Sequence, residues 1–157
     1  LDAPAGIDID GKEIAIADFY NHRIVYSGDG LEWISFGEEG KALGQLYYPT
    51  DVQIKGNKIY VADAYNNRVQ VFDKKGKALQ VIGEAENMNA ATGILVTESE
   101  VMITDFEHDK VHVYNHEGIL MQTILSLNKP TDLILVKDSL LYITNYKGKN
   151  ISVFFKQ

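Results

Sequence analysis

Short apolar runs alternate with turn residues along the whole chain. Ile14-Ala15-Ile16-Ala17, Ile59-Tyr60-Val61-Ala62, Val101-Met102-Ile103 and Leu140-Leu141-Tyr142-Ile143 are rich in β-branched and aromatic side chains. Runs of this length and content, bounded by Asp10-Gly11, Gly56-Asn57, Lys75-Gly76 and Glu117-Gly118, predict strands joined by tight turns. No stretch sustains a 3.6-residue period, so almost no helix is expected.

The pattern is also repetitive. Pro4-Ala5-Gly6-Ile7-Asp8-Ile9 leads to Ile14–Asp18 and then to Arg23–Tyr26. Pro49-Thr50-Asp51-Val52-Gln53-Ile54 leads to Ile59–Asp63 and Arg68–Phe72. Ala91–Val96, Val101–Asp105 and Lys110–Tyr114 form a third copy, and Pro130–Leu135, Leu141–Asn145 and Asn150–Phe154 a fourth. The anchors Asp18, Asp63, Asp105 and Asn145 lie 45, 42 and 40 residues apart, the spacing of a four-stranded propeller blade. Fourth, outer strands are expected at Leu31–Phe36, Leu79–Ile82 and Leu120–Leu125.

The run Val61-Ala62-Asp63-Ala64-Tyr65-Asn66-Asn67-Arg68-Val69-Gln70-Val71-Phe72-Asp73, followed by Gly76 and Gly83, resembles an NHL repeat. The first copy matches nearly as well, and the third and fourth are degenerate. The resemblance implies an all-β fold: a β-propeller of four NHL-like blades of four antiparallel strands, at about 4–37, 49–83, 91–125 and 130–157, the last lacking its outer strand. It is specific for fold and weak for function, because one propeller scaffold hosts many activities.

Within the repeat, acid travels with base. Asp18 precedes Arg23 by five residues, Asp63 precedes Arg68, and Asp105 precedes Lys110, whereas in the fourth copy Asn145 precedes Asn150. A contact across the loop between second and third strands is the expected reason, since a lone buried charge is costly.

Composition narrows the function. The 157 residues carry a formal charge of −7 and no cysteine. The charge repels a phosphate backbone. The missing thiols remove disulfides, thiolate metal sites and cysteine nucleophiles. No apolar stretch approaches the roughly 20 residues that span a bilayer, so no membrane insertion is expected. The chain begins with Leu1, which suits a mature secreted or lipoprotein-derived chain and an excised domain alike; an extracellular or periplasmic location is slightly favoured over a cytoplasmic one. With no outer strand after Phe154-Phe155-Lys156-Gln157 and only three residues before Pro4, the array is expected to be part of a larger ring with upstream sequence missing. The other closures are a compact four-blade ring and two chains meeting head-to-tail as eight blades, and open blade edges invite self-association.

Candidate chemistry is sparse. His108, His112 and His116 fall on a turn, a strand and a turn, which at roughly 3.3 Å per residue sets the outer two about 26 Å apart, too far to share an ion. Calcium at the central channel would need oxygen ligands from several inner strands; Asp8, Asp10 and Gln53 offer them, but Leu95, Thr97, Ile134 and Val136 dilute the set, and no cofactor is expected. Asp51 and Asp132 are expected to bond local backbone. Neither a nucleophile elbow nor a phosphate loop is present, so no catalytic residue is assigned. Lys74-Lys75-Gly76-Lys77 and Lys147-Gly148-Lys149 lie in turns among Glu84, Glu86, Glu107 and Asp109, which argues against nucleic acid as a partner.

Aromatics recur in one class of loop. Phe19-Tyr20, Tyr65, Phe106 and Tyr146 follow the anchor residue of each copy, and Tyr47-Tyr48 stands in the loop leading into the second. With Asn21, His22, Asn66 and His108 they are expected to form a ligand-binding face for a protein or peptide, giving a non-catalytic binding or scaffold module; the other reading is that these aromatics plug gaps between blades. The alternative is a metal-assisted hydrolase or lyase whose catalytic residues lie largely outside this segment.

Overall fold

The computed structural model describes residues 1–156. Gln157, the expected end of the fourth blade, lies outside them. The chain forms four antiparallel sheets in sequence. Blade 1 contains β1 (Pro4–Asp10), β2 (Glu13–Asp18), β3 (Arg23–Ser27) and β4 (Ile34–Phe36). Blade 2 contains β5 (Pro49–Lys55), β6 (Lys58–Asp63), β7 (Arg68–Asp73) and β8 (Ala78–Ile82). Blade 3 contains β9 (Ala91–Val96), β10 (Val101–Asp105), β11 (Lys110–Tyr114) and β12 (Leu120–Ile124), and among the described residues blade 4 has only β13 (Pro130–Val136), β14 (Leu140–Asn145) and β15 (Asn150–Phe155). The strands pair in chain order within each sheet. Among the described residues helix is limited to single 3-10 turns at Phe19–Asn21, Ala64–Asn66 and Glu84–Glu86. The first outer strand is shorter than the alternation suggests, because Ser27 and Asp29 hold residues 29–32 in a side-chain-capped turn.

The hydrophobic core lies between blades rather than inside them. Ala15, Ala17, Ile24 and Tyr26 on the leading face of blade 1 pack on Val52, Ile54, Ile59, Val61 and Phe72 on the trailing face of blade 2. Tyr60, Ala62, Val69 and Val71 likewise meet Ile94, Val96, Val101 and Ile103 of blade 3. Met102, Val111 and Val113 meet Leu133, Leu141 and Ile143 of blade 4. Each middle blade is therefore apolar on both faces, which explains the fully buried run Ile59–Asp63 where a one-sided sheet would alternate. One residue of each lead-in loop plugs the same joint: Leu46, Met88 and Leu127 are all buried.

A bulge at the start of each inner strand, as between Pro49 and Asp51 and between Pro130 and Asp132, turns the first side chains toward the neighbouring blade. The Thr50 hydroxyl thereby donates to the Thr92 carbonyl at 2.8 Å. At the following position glycine and aspartate alternate around the arc: Gly6, Asp51, Gly93 and Asp132. The glycines are needed for close approach. A Cβ on Gly6 would stand 2.8 Å from the Asp51 Cα, and one on Gly93 would stand 2.5 Å from the Thr131 carbonyl oxygen.

Gly93→Ala should lower stability by about 1–3 kcal/mol, the usual cost of overpacking, by wedging blades 3 and 4 apart. Urea unfolding checks this: a lower midpoint with unchanged slope is expected, and an unshifted midpoint contradicts the close-approach account.

Candidate functional site

The loop face is built on one repeated device. The anchor side chain at the end of each second strand is buried, and its Oδ1 accepts a backbone N–H from the loop leading into the same blade. The bonds are Asp2 N–H to Asp18 (2.6 Å), Tyr47 N–H to Asp63 (2.7 Å), Asn89 N–H to Asp105 (2.9 Å) and Asn128 N–H to Asn145 (3.0 Å). The second carboxylate oxygen faces the third strand. Arg23 Nε donates to Asp18 at 2.8 Å and Arg68 Nε to Asp63 at 2.9 Å. Asn21 and Asn66 add their amides to the same two carboxylates.

Blades 3 and 4 depart from the expected pairs. Asp105 is held by His108 Nδ1 at 2.9 Å and His112 Nε2 at 3.3 Å, and Lys110 stays outside this cluster although its backbone lies opposite Asp105 in the ladder. The two imidazoles occupy the carboxylate oxygen, and a lysine ammonium retains its hydration more readily than an imidazole. Asn145 donates to Ser152 Oγ at 2.9 Å, while Asn150 is exposed. The partner slot is thus the position of Gln70, His112 and Ser152, two residues beyond the expected one; Gln70 Nε2 also donates to Asp63, at 3.0 Å.

Burial pushes the Asp18 carboxyl up, but the Asp2 N–H, Asn21 and Arg23 outweigh it and leave its pKa lowered. Asp105 is lowered in the same way: burial opposes, and His112, the Asn89 N–H and His108 prevail.

Above these anchors the aromatics separate into two groups. Over blades 1 and 2, Phe19, Tyr20, His22, Tyr47, Tyr48 and Tyr65 form one continuous cluster. Tyr48 sits at its centre, with ring centroids 4.9 Å from Phe19, 4.8 Å from Tyr47, 5.0 Å from Tyr65 and 6.1 Å from Tyr20. His22 stacks on Tyr47 at 5.4 Å with planes 10° apart. Tyr20 and Tyr65 remain 57% and 60% exposed, so the cluster presents two phenol rings to solvent. Phe106 and Tyr146 make a separate pair over blades 3 and 4 at 6.2 Å, with the Lys129 ammonium 5.4 Å from the Phe106 ring.

Some residues expected on this face turn their polar groups inward. Asn21 and Asn66 are spent on Asp18 and Asp63, and His108 on Asp105. His22 Nδ1 accepts the Tyr48 N–H at 3.1 Å, which places its ring proton on Nε2. Asn67 and Asp109 do the same for the Ala90 and Lys129 N–H groups, so His22 belongs to the blade-to-blade fastening. His22, Asn67, Asp109 and Lys149 share a left-handed backbone, with φ between 51° and 59°. Phe19 joins the cluster through Tyr48, a residue itself in the left-handed region at φ 55°.

Near the propeller axis, Asp51 Oδ1 accepts the Val52 N–H and Oδ2 accepts the Ile94 N–H of the next blade at 2.9 Å. Burial, with smaller contributions from Asp132 and Asp8, raises its pKa to about 6. Asp8 accepts the Ile54 N–H and Gln53 the Val96 N–H, so two of the three side chains a channel cation would need serve blade-to-blade bonds. His116 bridges Tyr60 Oη and the Thr97 carbonyl. Among the described residues no three His, Asp or Glu side chains converge as an ion would require.

Residues 46–72 match the NHL repeat family. The chain is a β-propeller with an NHL repeat in its second blade. No curated protein matches the sequence. Solved structures similar to it include the computationally designed Ika4 protein (TM-score 0.76, 16% identity, covering 99% of this chain and 92% of that one). Streptogramin B lyase is similar over 99% of this chain and 52% of its own (TM-score 0.82, 14% identity). The catalytically inactive H270A virginiamycin B lyase from Staphylococcus aureus, solved with quinupristin, is similar over 98% and 55% (TM-score 0.76, 15% identity). The chain spans about half the length of the lyases it matches, and at these identities the likeness is one of fold.

Asp63→Ala should cost about 3–5 kcal/mol in urea unfolding, because Arg68 is buried and would lose its buried counter-charge, keeping only the exposed Glu84 carboxylate 3.5 Å away; a loss below about 1 kcal/mol would show the clasp to be idle. Asp51 gives a pH test of opposite sign. Its folded pKa of about 6 lies above the ordinary 3.8, so between those values the folded state holds the extra proton and stability falls as pH rises. Asp51→Asn should flatten the stability profile between about pH 4 and 6 relative to wild type; parallel profiles would contradict the assignment.

Proposed function

We propose that the chain is a non-catalytic recognition module that binds a protein or peptide on the aromatic cluster of blades 1 and 2. The observation that carries this reading is the exposure of Tyr20 and Tyr65 at the rim of a six-ring network whose central members are already immobilised. Fixed tyrosines supply large amphipathic contact area with little further loss of entropy on binding. The rings rest on rigid strand ends and anchor bonds, so the surface is preorganised. The polar residues around it are committed to the scaffold, which leaves the phenol hydroxyls and loop backbone as the groups offered to a ligand.

A random-peptide display library selected on the immobilised chain tests this. Enriched peptides should bind wild type, and a Tyr20→Ala/Tyr65→Ala variant with an unchanged circular dichroism spectrum should bind them at least about tenfold more weakly, the loss expected of two interface tyrosines. Equal binding to both forms, or no enriched peptide, overturns the reading.

A further inference from the structure

The two ends of the blade array carry the two halves of one more blade-to-blade joint. On blade 1, trailing-face positions whose equivalents are buried in blades 2 and 3 are open. Ile7 and Ile9 are each 61% exposed, whereas their equivalents Val52, Ile54, Ile94, Val96 and Leu133 are at most 8% exposed. Leu1 holds the lead-in plug position of the buried Leu46, Met88 and Leu127, and is itself exposed. On blade 4, the leading-face residues Ile151 and Val153 are exposed, whereas their equivalents Val69 and Val71 are fully buried against blade 3. These two end faces do not cover one another.

One polar fitting at the inner-strand bulge also matches. Asp51 uses Oδ1 on its own Val52 N–H and Oδ2 on the Ile94 N–H of the next blade, beside Gly93. Asp132 likewise uses Oδ1 on its own Leu133 N–H, and a blade beginning with a glycine at the Gly93 position would set an N–H against Oδ2. Blade 1 is such a blade, with Gly6 followed by Ile7. The glycine–aspartate alternation therefore continues unbroken from blade 4 of one chain into blade 1 of another, reproducing the joint between blades 2 and 3. Tyr142 stands where Tyr60 stands in that joint, and Ile14 and Ile16 where Val101 and Ile103 stand. Four internal features lack a counterpart: Lys149 cannot accept the N–H that His22, Asn67 and Asp109 accept, Ile134 stands where Gln53 accepts the Val96 N–H, Ser27 stands where the buried Tyr114 stands, and among the described residues blade 4 has no outer strand to supply the equivalent of Ile82.

We infer that the occupant of these faces is a second copy of this chain, joined head-to-tail at both ends into a closed eight-blade ring. Each joint pairs the leading face of blade 4 with the trailing face of blade 1, and the two-fold arrangement uses both copies of both faces. The occupant needs an apolar trailing face, a leucine-like plug and a glycine at the bulge, all of which blade 1 provides.

Sedimentation equilibrium of the 157-residue chain between about 1 and 100 μM tests the inference, with Ile9→Asp and Val153→Lys as variants on opposite halves of the joint. Wild type should sediment as a dimer, twice the 17.6 kDa chain. Each variant alone should sediment as a monomer with an unchanged circular dichroism spectrum. An equimolar mixture of the two should return to a dimer, because the mixed pair retains one unaltered joint and opposes the introduced charges in the other. A monomeric wild type, larger assemblies, a variant that still dimerises alone, or a mixture that stays monomeric would overturn it.

Discussion

Everything on the loop face hangs from one buried acceptor per blade. The strand-two anchor ties the lead-in loop with one atom and, with the other, a side chain of the third strand or its preceding turn. A blade is thereby closed at one end by a side chain where the backbone ladder has run out. A charged acceptor is chosen in three blades because its bonds are stronger than neutral ones, and burial is tolerated because each oxygen is occupied. The aromatic residues stand directly beyond these anchors, so their placement follows from the anchors and needs no further support.

The second constraint is that no blade buries both its faces alone. Apolar side chains fill the gaps between sheets, and the bulge at each inner-strand start brings neighbouring backbones close enough for threonine and aspartate to bond across. Stability is thus shared between adjacent units, as in other repeat architectures, and a terminal unit is the one with an unsatisfied side.

Most of the strands were legible in the sequence because β-branched alternation and the repeat of about forty residues reinforce each other. Blade order and the incomplete fourth sheet followed from the same repeat. The clasp partners in blades 3 and 4 were not legible from the five-residue spacing. Lys110 and Asn150 lie at the right ladder position, but His112 and Ser152 point into the anchor. A signal did exist: Gln70, His112 and Ser152 are polar residues within otherwise apolar strands, and a buried polar side chain in a central strand needs a partner. The structural role of His22 is hidden for a related reason, since its left-handed backbone and its bond to the Tyr48 N–H have no signature in residue type. Phe19 was legible as a loop aromatic, though its packing on Tyr48 depends on a second left-handed residue.

Among the four anchors, Asn145 differs in kind. Its amide and the Ser152 hydroxyl carry no ionisable proton, whereas Asp18 and Asp105 hold carboxyl groups whose fastening depends on staying deprotonated. Strong acid thus loosens those two sheets at their loop ends and leaves the fourth fastened as before. The unit with the fewest strands is thus the one whose latch contains no ionisable group.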